Sequence, residues 1–159
     1  MKHIINAIVE NQPGVLARIV GLFCGRGYNI DTLNVGPCAD PMLSRMTITV
    51  LGDDHVLEQV IKQLNKQVDI VKVLDLTSLR HLERELILVE IGAPRNKRAE
   101  IMDIATLFRA EIIGVRENSL TMQYIGTEEQ INDFLAMIRP YSIMDLSRSG
   151  VLAVARGGE

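Results

Sequence analysis

"HIINAIVENQPGVLARIVGLFCGRGYNI", His3 to Ile30, is the stretch whose reading decides the fold. From His3 to Val9 it is almost continuously apolar, with Asn6 the polar interruption, as expected of a strand covered on both faces or lying inside a sheet. After "ENQPG", Leu16, Ile19, Val20 and Phe23 fall at i, i+3, i+4 and i+7. That spacing predicts an amphipathic helix with Pro13 in its first turn, where a missing N–H costs nothing. Gly25 and Gly27 close the helix, and Gly21 is expected to permit close packing along it. From Tyr28 to Val35 the apolar residues switch from even to odd positions, the mark of a strand with a bulge.

Working outward, "GPCADP" at Gly36 to Pro41 is a turn, and Met46, Ile48 and Val50 then alternate with Arg45, Thr47 and Thr49. This period of two predicts a hairpin strand with one solvated face. Asp53 or Asp54 caps a second helix striped by Leu57, Val60, Ile61 and Leu64, and "IVKVLDL", Ile70 to Leu76, supplies a fourth strand. The order is β-α-β-β-α-β. After the polar joint "TSLRH" the order repeats: "ELILVEI", a helix striped by Ile101, Ile104, Ala105 and Phe108, and a hairpin around Glu117 to Ser119. Thr127 with Gln130 forms a capping box ahead of Ile131, Phe134, Leu135 and Ile138, and "YSIMDL" and "GVLAVA" are closing strands. The expectation is an α+β protein of two tandem ferredoxin-like modules, residues 1–76 and 83–159 joined by a linker at 77–82. Each antiparallel sheet carries both helices on one face, so pairing between sheets, modules or chains is expected to cover the other.

The 159 residues are 47% apolar and 23% charged, a globular composition without any run long enough to span a membrane. The opening residues lack a signal-peptide layout, so a cytoplasmic location is expected. Seventeen basic against twenty acidic residues, a net charge of −3 and no tryptophan argue against a nucleic-acid footprint. Cys24 and Cys38 lack the neighbours of a zinc site and read as reduced thiols. "GRGYNI" fails the dinucleotide fingerprint because Ile30 stands where a third glycine belongs and a strand follows. His3, His55 and His81 have no triad partners near them and read as surface histidines, so no catalytic residue is assigned.

What the opening stretch offers is a helix start. Backbone N–H groups around Gly14, Val15 and Leu16 lack intrahelical partners and attract an anion, a carboxylate as readily as a phosphate, and Gly14 has no side chain to block approach. Asn11 and Asn29 add amide oxygens able to accept from an ammonium. Together these groups fit an α-amino acid, and the lack of strong charges nearby points to one with an apolar side chain. A purely structural role for Asn11 in a turn and for Gly14 in backbone geometry is the alternative.

"ENQPGVLARIVGLFCGRGYNIDTLNV", "LSRMTITV" at Leu43 to Val50 and "RSGVLAVARG" at Arg148 to Gly157 together resemble the regulatory, small subunits of acetohydroxyacid synthase, also called acetolactate synthase. The resemblance runs over essentially the whole chain and makes the first module an ACT domain. It implies a non-catalytic subunit without cofactor of its own that activates a large catalytic subunit using thiamine diphosphate, magnesium and FAD. It also implies feedback inhibition by valine in branched-chain amino-acid biosynthesis. ACT modules of this family pair side by side as a homodimer. Valine would then lie between Asn11, Gly14, Val15 and Leu16 of one chain and Asn29 and Ile30 of its partner. "APRNKRAE" at Ala93 to Glu100 lacks the Asn-x-Pro-Gly character of the first turn, so the second module is expected to serve packing or communication. A free-standing ACT-type sensor acting on a different partner is the competing reading, and a small enzyme on the same scaffold a third.

Overall fold

A computed structural model describes residues 1–157. The chain forms two compact units, Met1–Leu82 together with the segment from Val151, and Glu83–Gly150.

In the first unit the order is β1 (Lys2–Glu10), α1 (Val15–Gly25), β2 (Ile30–Pro37), β3 (Leu43–Leu51), α2 (Asp54–Asn65) and β4 (Ile70–Asp75). The strands form one antiparallel sheet in the order β2-β3-β1-β4. The expected bulge lies in β2, where the register against β3 shifts between Ile30 and Thr32. Ile5, Ala7, Val9, Met46, Ile48 and Val50 from the sheet pack against Val15, Ile19, Phe23, Leu57, Val60 and Leu64 from the helices. Asp53 is the cap of α2, its carboxylate accepting from Val56 N at 2.9 Å. Gly27, at φ +68°, turns the chain out of α1.

The second unit contains β5 (His81–Gly92) from Glu83 onward, α3 (Arg98–Phe108), β6 (Glu111–Val115), β7 (Ser119–Gly126), α4 (Glu128–Ile138) and, after a single 3-10 turn, β8 (Ile143–Arg148). Its strands run β6-β7-β5-β8. The predicted capping box at Thr127 and Gln130 is present, and Ile131, Phe134, Leu135 and Ile138 are all buried. Arg148 grips the buried carboxylate of Glu85 with two bonds, Nε to Oε1 at 2.7 Å and Nη2 to Oε2 at 2.9 Å. This pairing gives a buried charge the bidentate partner it requires.

Four details depart from the sequence reading. The core stripe of α1 is Val15, Ile19 and Phe23, with Leu16 left 44% exposed, because the helix starts at Val15 and Pro13 stands before its cap. Among the described residues a Cβ at Gly21 would meet nothing within 4 Å, so that glycine serves no close packing there. His3 is fully buried beneath Gly52, whose carbonyl lies 3.1 Å from Nε2. Thr47 and Thr49, expected on a solvated face, are buried as well.

The last of these follows from where the chain goes after Gly150. β9 (Leu152–Ala155) and the residues before it lie with the first unit, although the spacing of elements places them in the second module. Val151 and Ala153 pack on Ile4, Leu74 and Leu76, on the sheet face away from the helices. Asn6 organises this contact. Its Nδ2 donates to Ala153 O at 3.0 Å, and its Oδ1 accepts from the Thr47 hydroxyl at 3.0 Å. Thr47 Oγ1 in turn accepts from Ala153 N, and Asn34 Nδ2 donates to Val151 O at 2.8 Å. Arg156 N donates to Arg80 O at 2.8 Å, just ahead of β5. The polar residue that interrupts the apolar run is therefore the one that recognises the returning backbone.

Two outcomes follow for stability. Asn6→Ala takes the acceptor from the buried Thr47 hydroxyl proton and the side-chain donor from the Ala153 carbonyl, and denaturant unfolding should show a loss of about 1–3 kcal/mol. Gly21→Ala, in open space inside a helix, should raise stability by roughly 0.5–1 kcal/mol in the same measurement.

Candidate functional site

The turn between β1 and α1 carries the first half of the predicted site. Its backbone is held from the loop that follows β2. Asn11 N donates to Met42 O at 2.8 Å, and Asn11 Nδ2 donates to Pro41 O at 2.9 Å. The amide oxygen of Asn11, an exposed residue, has no donor among the described residues. Gly14 caps α1 in the left-handed region at φ +86°, a conformation that L side chains rarely adopt. It supplies no side-chain cap to the helix. Val15 N makes a long bond of 3.4 Å to Gln12 O, so Leu16 and Ala17 carry the N–H groups with neither an intrahelical nor a capping acceptor. The Val15 side chain points into the core, and only its backbone belongs to the turn's surface.

One strong charge was missed in the sequence reading, which took the site to have none nearby. A Cβ built on Gly14 would lie 3.1 Å from Arg18 Nη1, so the guanidinium rests against the open helix start. Asp69, just before β4, holds it there through Arg18 Nε at 2.8 Å. Arg18 stands one helical turn beyond Gly14, and side chains on a helix lean toward its N-terminus. The spacing is legible in the sequence, but the brace by Asp69, 51 residues further along the chain, is not. Helix dipole, uncapped N–H groups and guanidinium all favour an anion at this point. Beyond Arg18, an open groove of about 500 Å³ follows the outer side of α1 past Gly21 and Gly25.

Asn29 and Ile30, the other half of the predicted site, open β2; Asn29 is exposed and Ile30 half-buried. The register separates them from Asn11. Glu10 pairs with Leu43 at one end of β3, whereas Ile30 pairs with Val50, which also pairs with His3, at the other. From position 43 to position 50 is seven residues (50 − 43), about 23 Å of strand at ~3.3 Å per residue. Within one chain the two halves do not meet. β2 is an edge of its sheet, hydrogen-bonded on one side among the described residues.

The corresponding turn of the second unit is built differently. α3 starts at Arg98 after Lys97, without a glycine, and Arg98 closes the turn by donating to Ala93 O at 3.1 Å and to the carbonyls of Arg116 and Glu117. Glu100 already supplies a carboxylate in the first helical turn. Tyr141 OH donates to it at 3.0 Å and Lys97 Nζ lies 3.4 Å away. The Tyr141 hydrogen bond first, and Lys97 second, hold the Glu100 carboxyl below the usual carboxylate range; the same bond and burial raise the Tyr141 phenol. A helix start that carries its own anion has less need of another.

Comparison with known proteins also finds two parts, but counts the segment from Val151 with the second. Residues 5–72 match the family described as "AHAS small subunit-like ACT domain", and residues 84–157 match "Small subunit of acetolactate synthase". The chain is 47% identical over 159 residues to a probable acetolactate synthase small subunit of Archaeoglobus fulgidus, covering 100% of this chain and 99% of that one. It is 45% identical over 158 residues to the acetolactate synthase isozyme 3 small subunit of Escherichia coli, covering 99% and 97%. The crystal structure of the acetolactate synthase small subunit from Thermotoga maritima superposes with a TM-score of 0.90 at 32% identity, covering 100% of this chain and 99% of that chain. On sequence and on fold, the chain belongs to the family of acetolactate synthase small subunits and carries that family's ACT domain in its N-terminal half.

Proposed function

We propose that this chain is the regulatory subunit that activates the large catalytic subunit of acetolactate synthase and makes it sensitive to feedback inhibition by valine. A small subunit of this synthase implies a catalytic partner, and the thiamine diphosphate, magnesium and FAD chemistry belongs to that partner in this reading. The whole process is placed in the cytoplasm.

The observation that carries the valine site is the open start of α1. Uncapped N–H groups at Leu16 and Ala17 follow an exposed Gly14 within the same turn, and the Arg18 guanidinium rests against that glycine. The valine carboxylate docks there. Its ammonium is taken by amide oxygens of Asn11 and of Asn29 from a second chain, and its isopropyl group lies against apolar side chains, Leu16 and Ile30 among them.

The register argues for a site shared between two chains. A twofold pairing of antiparallel β2 edges places the start of one β2 beside the end of the other, and that end of the sheet carries the Gly14 turn. In this homodimer of ACT domains Asn29 and Ile30 of one chain complete the pocket of the other. Charge-assisted hydrogen bonds contribute roughly 1.5–3 kcal/mol each before association costs, so affinity in the micromolar to millimolar range is expected. Because the pocket spans the pair, valine biases how the chains pair, and a coupling of about 1–3 kcal/mol is enough for feedback. It must bind the inhibited arrangement more tightly than the active one.

Synthase activity measured with and without this chain, and with and without valine, tests the reading. Activation by the chain and inhibition by valine are expected. A synthase indifferent to the chain overturns the assignment and favours a free-standing sensor with another partner. Gly14→Asp puts a carboxylate beside Arg18, where the ligand's own would sit. It should raise the half-inhibitory valine concentration by roughly tenfold or more, ~1.4 kcal/mol, with activation retained. Arg18→Gln should weaken valine binding by a similar factor in calorimetry, and Asn29→Ala by less, since the carboxylate keeps its backbone donors.

A further inference from the structure

The face of the first sheet opposite the helices holds a second concentration of charge. Arg45 on β3 and Lys72 on β4 both pair with Ile8 of β1, so the three side chains share one face. Ala7 and Val9, their neighbours on β1, point to the helices, which makes this the face that β9 partly covers. As the closing segment leaves β9, the bond from Arg156 N to Arg80 O brings two more arginines to the same place. A cleft of about 410 Å³ results, lined by Arg45, Lys72, Arg80 and Arg156 with Leu74 and Val154 as apolar wall.

Among the described residues none of these four cations forms an ion pair or a side-chain hydrogen bond. The chain as a whole carries a net charge of −3, so four unneutralised cations in one cleft are a local inversion of its charge. Like charges lining one cleft repel one another, and an anion entering between them relieves that repulsion. Arg45, half-buried, presents a planar fork suited to two oxygens of one phosphate or carboxylate, and the cleft's volume lies in the range of small-molecule pockets.

We propose that this cleft binds a small organic polyanion, one bearing phosphoryl or clustered carboxylate groups beside an apolar portion. The site is separate from the start of α1 and does not depend on valine recognition. Since the closing segment forms one wall, an anion here also fastens that segment to the sheet.

Titration calorimetry of the full chain at low salt, with pyrophosphate and citrate as separate probes, tests this. Saturable binding of at least one probe is expected, weakening as salt is raised. Pyrophosphate alone indicates a phosphoryl ligand, and citrate alone a polycarboxylate. Lys72→Gln, and Arg80→Gln combined with Arg156→Gln, should each weaken binding by about tenfold or more. These positions are exposed, so unchanged melting without probe verifies the fold. Arg45→Lys keeps the charge but not the fork and should weaken binding severalfold, while Gly14→Asp should leave it intact. Binding that ignores the cleft substitutions, or binding of an acidic peptide such as hexaglutamate but of neither probe, overturns the proposal.

Discussion

The amide of Asn6 is the interaction on which the first unit depends. A sheet of four strands with two helices on one face buries only that face, and a module of this size has little core to spare. The other face of β1 is covered because one buried side chain donates to a backbone arriving from the far end of the chain while it accepts from Thr47 on the neighbouring strand. Thr47 completes the arrangement, its hydroxyl donating to Asn6 while it accepts from Ala153 N. Replacing water at these polar groups leaves little net gain in each bond, but every one of them would be costly if left unmade. The first module is therefore finished by residues that follow the second.

The same economy separates the two helix starts. α1 begins with a residue that cannot cap it, and the positive end of the helix is reinforced by Arg18 braced on Asp69. α3 begins with Arg98 folded over its own turn, and Glu100 in its first turn is pinned by Tyr141. One start keeps its first N–H groups uncapped, the other is satisfied from within. Two modules of one topology thus differ in the chemistry of one turn through a few side chains, since the sheet and helices set the place but not the groups presented there.

Much of this was legible in the residues. Periods of two and 3.6, the Asp53 cap, the Thr127 capping box and the bulge after Ile30 are local, and local sterics and hydrogen bonding specify them without reference to distant parts of the chain. The open turn at Gly14 was legible for the same reason. The phase of α1 was not. Leu16 and Val15 are equally apolar, and which of them is buried depends on where the helix starts and how it sits on the sheet.

By itself, then, the sequence determined the element order, the two modules, the anion-seeking helix start and the kinship with small subunits of this synthase. Tertiary structure alone decided that His3, Thr47 and Thr49 are inside, that Arg18 stands over Gly14, and that the segment from Val151 returns to the first sheet. It also put Asn11 and Asn29 at opposite ends of that sheet, and gathered Arg45, Lys72, Arg80 and Arg156 from four stretches of chain into one cleft. Contacts between residues far apart in sequence depend on strand register and on the path of the closing segment. Composition and periodicity carry no information about either, because they describe each stretch only against its immediate neighbours.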